Sequence, residues 1–262
     1  MRLGVIGGGV VGRATARAFL EHVEEVRVHD TLPERSTHSL TDVLGCDLVF
    51  VCLPTPQQAG SLSCDLSAVE HFFRSQRGSR VSFVLRSTVP IGTTIRLARE
   101  YDLPNLVHSP EFLTARCAVS DAQLPARNVL GVTPGSDAVR LARLYTERYP
   151  GVPLHIMTSN ESEAVKLFQN SFFAVKVSFW NECRQFADRL GLSWDVVLEA
   201  ILADGRISFS HTRIPGPDGR FGFGGSCLPK DLANLITCMA EAGLTAPVSH
   251  AAHFRNLEDR IR

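Results

Sequence analysis

Residues 3–12 read Leu-Gly-Val-Ile-Gly-Gly-Gly-Val-Val-Gly, an apolar run that leads straight into a G-x-G-x-x-G pattern at Gly7, Gly9 and Gly12. Apolar residues at helical spacing follow over 14–19. Glycines at these positions permit a tight turn and bring the backbone close to a pyrophosphate at the helix N-terminus. The stretch therefore predicts an α/β fold with a Rossmann-type parallel sheet, whose first turn binds a dinucleotide.

The next strand pattern, over 26–29, ends at Asp30, 23 residues after Gly7. An acid at this spacing accepts a hydrogen bond from a ribose 2′-hydroxyl and repels a 2′-phosphate, so it predicts NAD as the cofactor. Arg35 leaves NADP open, because an arginine is able to bind a phosphate or stack on adenine. The residues predicted to bind the cofactor are Gly7, Gly9, Val10, Val11, Gly12, Asp30, Arg35, Pro54, Thr55 and Thr88.

Further apolar runs, typical of strands buried on both faces of a parallel sheet, begin at Asp47, Val81, Asn105, Asn128 and Leu154. Thr88 and Glu111 follow two of these runs, at the edge of the sheet where open α/β folds bind ligands. An acid after a proline is as often a helix cap, so Glu111 alone does not decide between these roles.

From Asn160 the period of the apolar residues becomes helical and stays so to Leu190, where Gly191 is a stop signal. This long helix predicts a second, helical domain, with residues 1–157 forming the cofactor domain and residues 158–262 the helical one. Lys166 and Asn170 lie four residues apart on the helix, on one face. Such a pair is more often solvated than functional when nothing else accompanies it.

Residues 221–231 read Phe-Gly-Phe-Gly-Gly-Ser-Cys-Leu-Pro-Lys-Asp and deliver Cys227 to the start of a predicted helix marked by Pro229. Unpaired N–H groups at a helix N-terminus, together with the cation of Lys230, favour a thiolate that acts as a nucleophile. A lone cysteine is more often a buried, inert thiol. Because a glycine run and a helix start accompany Cys227 in a chain with a cofactor domain, a reactive nucleophile is favoured here over an inert thiol.

Composition excludes several classes of function. The 262 residues carry 27 Lys plus Arg and 27 Asp plus Glu, which does not favour a nucleic-acid or acidic-membrane partner. Seven cysteines without C-x-x-C spacing read as reduced thiols, which predicts a cytoplasmic protein with neither disulfides nor a metal site. The strand at the first residues leaves no room for a signal peptide, in agreement with that location.

Five motifs beyond the glycine turn carry a family resemblance. They are LPTP at 53–56, STVPIGT at 87–93, SPEFL at 109–113, SEAVKLFQNSFFAVKVSFWNE at 162–182 and GFGGSCLPKD at 222–231. With them the chain resembles the UDP-glucose/GDP-mannose dehydrogenase family. The resemblance implies oxidation of the C6 primary alcohol of a sugar nucleotide to a carboxylate, with two NAD and a cysteine thioester.

The resemblance also implies roles for single residues. Cys227 is the nucleophile, Lys166 and Asn170 stabilise the oxyanion, Asp231 orients the lysine and a water, Glu111 is the hydrolytic base, Thr88 contacts that water, and Arg206 reaches the substrate of a partner subunit. The implied substrate-binding residues are Glu111, Phe112, Leu113, Lys166, Asn170, Arg206, Phe223 and Gly224. We expect a homodimer built on the long helix and the C-terminal helix, since the long helix has more apolar positions than one monomer face covers.

Two departures from the family leave the sugar and its carrier open. Thr114, Ala115 and Arg116 replace the family's arginine and small residues, and the family's third, nucleotide-holding domain has no counterpart, which predicts a short form. Arg116, Arg206 and Arg213 indicate an anionic substrate, so a nucleotide-linked or phosphorylated sugar is favoured over a neutral one. The alternatives are a one-step hydroxyacid or alcohol dehydrogenase and a catalytically silent NAD-binding partner subunit.

Overall fold

The computed structural model describes residues 1–261, which divide into two units. The first comprises Met1–Pro56 and Cys64–Lys166, and the second comprises Gln57–Ser63 and the chain from Leu167 onward. The first unit contains β1 (Arg2–Ile6), α1 (Val10–Phe19), β2 (Glu25–His29), α2 (Leu40–Leu44), β3 (Leu48–Val51), α3 (Ser67–Ser75), β4 (Phe83–Leu85), α4 (Thr93–Glu100), β5 (Leu106–His108), α5 (Ala118–Gln123), β6 (Asn128–Val132), α6 (Val139–Arg148) and β7 (Leu154–Thr158). A short 3-10 helix (Pro33–Arg35) follows β2.

The seven strands form one sheet in the order β2-β1-β3-β4-β5-β6-β7. Every neighbouring pair is parallel except β5 and β6, which pair antiparallel through His108 and Gly131. The predicted α/β class with a Rossmann-type sheet is confirmed. The antiparallel pair was not predicted, because a strand buried on both faces has the same apolar pattern in either direction.

Both faces of the sheet are buried against helices, as the continuous apolar runs predict. Successive residues of β3 alternate between two core clusters, Phe50 in one and Val49 and Val51 in the other. Phe50 stacks on Phe19 of α1 with ring centroids 5.7 Å apart. Burial of each such side chain stabilises the fold by about 1.5–3 kcal/mol. The sheet is therefore a rigid support for the loops at its carboxyl edge.

The second unit is helical. α7 (Ser159–Arg189) begins in the first unit and continues into the second, which also holds α8 (Trp194–Leu202), α9 (Leu228–Glu241) and α10 (Pro247–Ile261). One core cluster of this unit surrounds Phe223, and another joins Trp180 to Trp194 with ring centroids 6.0 Å apart. Within residues 1–261, no helix combines the length and the apolar character that crossing a membrane requires.

Candidate active site

The glycine turn after β1 has the geometry that a dinucleotide requires. Gly7 has φ +94°, and a Cβ at Gly12 would collide with the Gly7 carbonyl, so both positions require glycine. Gly9 caps the N-terminus of α1 with no side-chain cap, and a Cβ placed on it would meet nothing within 4 Å. The space beside Gly9 at the start of α1 is therefore open and no side chain caps the helix, so the turn fits the pyrophosphate of NAD.

Asp30 lies directly beside this turn. Its Oδ2 accepts a hydrogen bond from the Gly8 N–H at 2.6 Å, and its Oδ1 accepts one from the Leu32 N–H at 2.9 Å. Burial works to raise the pKa of Asp30, but these two hydrogen bonds and the nearby Arg35 outweigh it, so the pKa lies below its ordinary value. Asp30 is an ionised acceptor with lone pairs left for ribose hydroxyls, which fits NAD.

The loops after β3 and β4 are joined to each other. The Thr55 hydroxyl donates to the Thr88 carbonyl at 2.7 Å, and the Ser87 hydroxyl donates to the Leu53 carbonyl at 2.6 Å. Thr55 and Thr88 are both buried, while Pro54, in the loop after β3, is exposed. These bonds fix the predicted cofactor residues of the two loops relative to each other.

Glu111 and Lys166 form a buried ion pair. The Lys166 Nζ donates to Glu111 Oε1 at 3.0 Å, and their side chains are only 4% and 9% exposed. The second oxygen of Glu111 accepts from the Leu113 N–H at 2.6 Å, and the Lys166 Nζ lies 5.6 Å from the Phe112 ring centroid. Lys166 is therefore not solvated, and Glu111 does not cap a helix, because α5 begins only at Ala118.

Glu163, one turn before Lys166 on α7, is a buried acid that the sequence analysis missed. It accepts from the Gly92 N–H at 2.6 Å, the Thr94 N–H at 2.8 Å and the Thr94 hydroxyl at 2.5 Å, and so caps α4. Burial raises the pKa of Glu163 to about 7, against the opposing effect of these bonds. Its place inside the SEAVKLFQN motif, among apolar neighbours, is the one sequence signal that points to it.

A second buried network, also missed, holds the strand end before Glu111. Arg86 donates to the Ser109 carbonyl at 3.3 Å and to the Tyr145 hydroxyl at 3.0 Å. The Ser109 and Tyr145 hydroxyls lie 2.6 Å apart, and Ser109 also donates to the Val129 carbonyl at 2.8 Å. This network fixes the backbone two residues before the carboxylate.

In the second unit, Cys227 is the N-cap of α9, as the sequence predicts. Its thiol is exposed, its carbonyl accepts from the Asp231 N–H at 2.9 Å, and the Ser226 hydroxyl lies 3.7 Å from its Sγ. Pro229 stands in the first turn of the helix. The thiol is thus presented at a helix N-terminus, where backbone N–H groups favour an anion.

Asn170 and Asp231 are joined within the same unit. The Asn170 Nδ2 donates to Asp231 Oδ2 at 2.6 Å, and Asp231 is fully buried. Lys230 forms an ion pair with the other oxygen of Asp231. Asn170 is only 7% exposed and is therefore not a solvated residue. The charge of Lys230 is paired with that of Asp231.

Arg206 lies on an exposed loop. Its guanidinium forms an ion pair with Asp204, with one N–O distance of 2.6 Å, and its side chain is 86% exposed. Arg116 and Arg213 are exposed as well. The predicted role of Arg206 at a partner's substrate stays a prediction.

Two sequence models of one protein family match most of the chain. A sequence model of the UDP-glucose/GDP-mannose dehydrogenase family, NAD binding domain, matches residues 21–148, and one of the central domain of the same family matches residues 160–258. The chain belongs to the UDP-glucose/GDP-mannose dehydrogenase family. NAD is the cofactor of this family's N-terminal domain, so the NAD prediction is confirmed.

Three relatives show how much of the family the chain represents. A UDP-glucose 6-dehydrogenase of Rhizobium meliloti is 36% identical over 75% of this chain and 46% of its own length. One of Campylobacter jejuni is 27% identical over 90% of this chain and 67% of its own length. The structure of a UDP-glucose dehydrogenase from Pyrobaculum islandicum superposes with a TM-score of 0.81 at 30% identity, covering 98% of this chain and 68% of that one. The chain spans between about half and two thirds of these proteins.

Proposed function

We propose that this family member oxidises the primary alcohol of a nucleotide-linked or phosphorylated sugar to a carboxylate, with NAD and a thioester on Cys227. The observation that carries the proposal is the exposed thiol at the N-terminus of α9, which a one-step alcohol dehydrogenase does not need. The names of the relatives, UDP-glucose 6-dehydrogenases, support the substrate class.

The first oxidation converts the alcohol to an aldehyde. NAD, when bound, accepts the hydrogen and electron pair that the carbon loses in each of the two oxidations. Asp30 holds the ribose hydroxyls, and the open turn at Gly9 admits the pyrophosphate. The hydroxyl proton passes to water as the carbonyl forms.

An aldehyde carbon cannot be oxidised again until a nucleophile makes it tetrahedral. The thiolate of Cys227 adds to the carbon, the C–S bond forms, and the carbonyl oxygen becomes an oxyanion. Lys166 and Asn170 are the proposed donors to that oxygen, each worth about 3 kcal/mol in comparable sites. Lys166 has three N–H donors, so it is able to keep its bond to Glu111 while it donates to the oxyanion.

The second oxidation leaves a thioester, and water must release the product. On this proposal Glu111 accepts a proton from the attacking water, the C–S bond breaks, and Cys227 leaves as the thiolate. Lys166 beside Glu111 keeps the carboxylate oriented, and the Leu113 N–H holds its second oxygen. Asp231 accepts a hydrogen bond from the Asn170 Nδ2 and so orients that side chain.

The decisive experiment measures NADH and acid together. Purified protein is incubated with NAD and, in separate reactions, UDP-glucose, glucose 1-phosphate and free glucose, all of which carry a free primary alcohol. We expect two NADH per acid with the preferred substrate, and at least about a 100-fold loss of acid in Cys227→Ser, because the second oxidation has no nucleophile. Cys117→Ser, at the other exposed cysteine, is the matched control and should retain activity.

The other readings give different results. A ratio of one NADH per substrate with an aldehyde or ketone product identifies a one-step dehydrogenase. NAD binding without turnover of any substrate identifies a silent partner subunit. If the free sugar is the best substrate and Arg206→Ala has no effect on KM, anion recognition is wrong.

A further inference from the structure

The loop that precedes Cys227 is shaped by the C-terminal helix. Gly222 has φ +74°, and a Cβ on it would lie 2.5 Å from Asn256 Oδ1 and 3.1 Å from the Asp259 Cβ, both on α10. A side chain at Gly222 is therefore excluded by conformation and by space. The loop passes directly over α10 on its way to the nucleophile.

Two consecutive amides of this loop are bound by buried asparagines on two different helices. The Gly222 N–H donates to Asn181 Oδ1 of α7 at 3.0 Å, and the Phe223 N–H donates to Asn256 Oδ1 of α10 at 2.7 Å. Asn181 is 1% exposed and Asn256 is 7% exposed. A buried N–H that loses its acceptor is strongly unfavourable, so each bond favours this one loop conformation.

The Asn181 side chain and the helix that carries Asn256 are themselves held in place. The Asn181 Nδ2 donates to the Val177 carbonyl at 2.7 Å, which fixes the direction of its Oδ1. On α10, the buried Asp259 accepts from Arg255 at 2.9 Å and from Gln185 of α7 at 2.8 Å. These contacts join α7 to α10 at the level of the loop, so the two amide oxygens stand at a fixed separation.

Only Gly224, Gly225 and Ser226 separate the bound amide of Phe223 from Cys227. The Phe223 side chain is 3% exposed and packs in the core cluster of the unit, so that end of the segment is anchored. Gly225 has φ +77° and an open Cβ direction, so the intervening backbone has no steric restraint of its own there. The segment is therefore held at both ends, by the bound Phe223 amide upstream and by α9 at Cys227, and the upstream anchor determines the course of the loop into the nucleophile.

We propose that Asn256, together with Asn181, is a positioning residue that sets the location of the Cys227 thiol. The inference rests on the proposed function for the role of Cys227 as nucleophile. It assigns α10 a part in the reaction through the hydrogen bond that Asn256 accepts from the Phe223 N–H.

The test compares Asn256→Ala, which removes the acceptor, with Asn256→Asp, which retains an acceptor oxygen of the same shape. Asn160→Ala, an exposed asparagine of α7, is the control for loss of an amide. We expect Asn256→Ala to lower kcat on the order of 10- to 100-fold, because small misplacements of a reacting group have effects of this size, with KM for NAD unchanged. Asn256→Asp should restore kcat to within about threefold of wild type on the same principle.

Two readouts do not require a substrate. Alkylation of Cys227 by iodoacetamide, followed by mass spectrometry of its peptide, should slow in Asn256→Ala because the thiol leaves its place at the helix N-terminus. Hydrogen exchange of the Phe223 amide in wild type should be strongly slowed relative to that of Gly225, and this measurement needs no variant to fold.

Three outcomes would overturn the proposal: a Phe223 amide that exchanges freely in wild type, unchanged kcat and alkylation in Asn256→Ala, or an Asn256→Asp variant as impaired as Asn256→Ala. If Asn256→Ala does not fold, the wild-type exchange rates and the Asn256→Asp variant still decide. If wild type oxidises no sugar, the proposed function fails, while alkylation and exchange still report on the two asparagine bonds.

Discussion

At Glu111 and at Asp231, a buried carboxylate is paired with a lysine. Removing one partner of a buried ion pair typically costs about 3–5 kcal/mol, because the other charge is left without compensation. Alanine substitution of Lys166 therefore combines a loss of folding stability with any loss of catalysis. Lys166→Arg, which keeps the positive charge beside Glu111, separates the two effects better.

Cofactor choice is a prediction at the residue scale. Asp30 is ionised and lies beside the glycine turn, so wild type should use NAD with at least about tenfold higher catalytic efficiency than NADP, the range that one charged hydrogen bond supplies. Asp30→Ser should reduce that preference on the order of tenfold or more by the same reasoning. Steady-state kinetics with both cofactors measures it, and Arg35→Ala tests whether the arginine contributes to use of NADP. Equal use of NADP by wild type would show that Arg35 outweighs Asp30.

At the scale of elements, α7 connects several loops of the site. Its first turns cap α4 through Glu163, bind Glu111 through Lys166 and hold His108 of β5 through Ser162, with 2.6 Å between the Ser162 hydroxyl and the His108 Nδ1. Because one rigid helix makes all three contacts, it fixes the positions of the loops after β4 and β5 relative to each other. Glu163 is the contact whose strength depends on pH.

The pKa of Glu163 predicts a loss of stability as pH rises. The folded-state pKa of about 7 is above the ordinary value of 4.5, so the folded protein holds a proton that the unfolded chain has lost in this window. Its contribution is fully present below pH 4.5 and is lost as pH rises through 7. Between pH 5 and 8, wild type should lose up to about 3 kcal/mol relative to Glu163→Gln, whose amide does not titrate.

Urea unfolding at pH 5 and pH 8 measures this difference. Glu161→Gln is the control on the same helix: hydrogen bonds from Thr158 lower the pKa of Glu161, so its contribution is constant above the ordinary value of 4.5. A difference between wild type and Glu163→Gln that is the same at both pH values would contradict the prediction.

At the scale of the whole molecule, the largest unexplained feature is an apolar row on α7. Phe172, Phe179 and Phe186 recur every seven residues, and Phe168 stands one turn before the first of them. All four are more than half exposed, between 54% and 66%. A seven-residue spacing keeps side chains on one stripe of a helix, and exposed stripes of this kind mark interfaces. We propose a second copy of the chain as the partner.

The dimer is tested by placing a charge in this row. Sedimentation at micromolar concentration should show a wild-type dimer and a monomer for Phe186→Glu, because a carboxylate cannot be buried in an apolar interface without compensation. Leu124→Glu makes the same change at the residue that follows α5, which is 84% exposed and outside the row, and should remain dimeric. A monomeric wild type would refute the proposal.

The sequence by itself determined the local features of this protein. The strand, glycine turn and helix at residues 3–19, the long helix of α7 and the helix start after Cys227 all follow from periodicity and from glycine and proline, which act over a few residues. The family motifs added residue roles, and the family and its cofactor are confirmed. The site roles stay predictions.

The tertiary structure alone decided which polar residues are buried and what they contact. Lys166 reaches Glu111, 55 residues away, Glu163 reaches Thr94, 69 residues away, and Asn256 reaches Phe223, 33 residues away. In a helical pattern a lysine, glutamate or asparagine looks solvated whatever faces it, because periodicity records polarity and not partners. Only packing brings a distant donor to the acceptor, and that is why the supports of Glu111 and Cys227 could not be predicted.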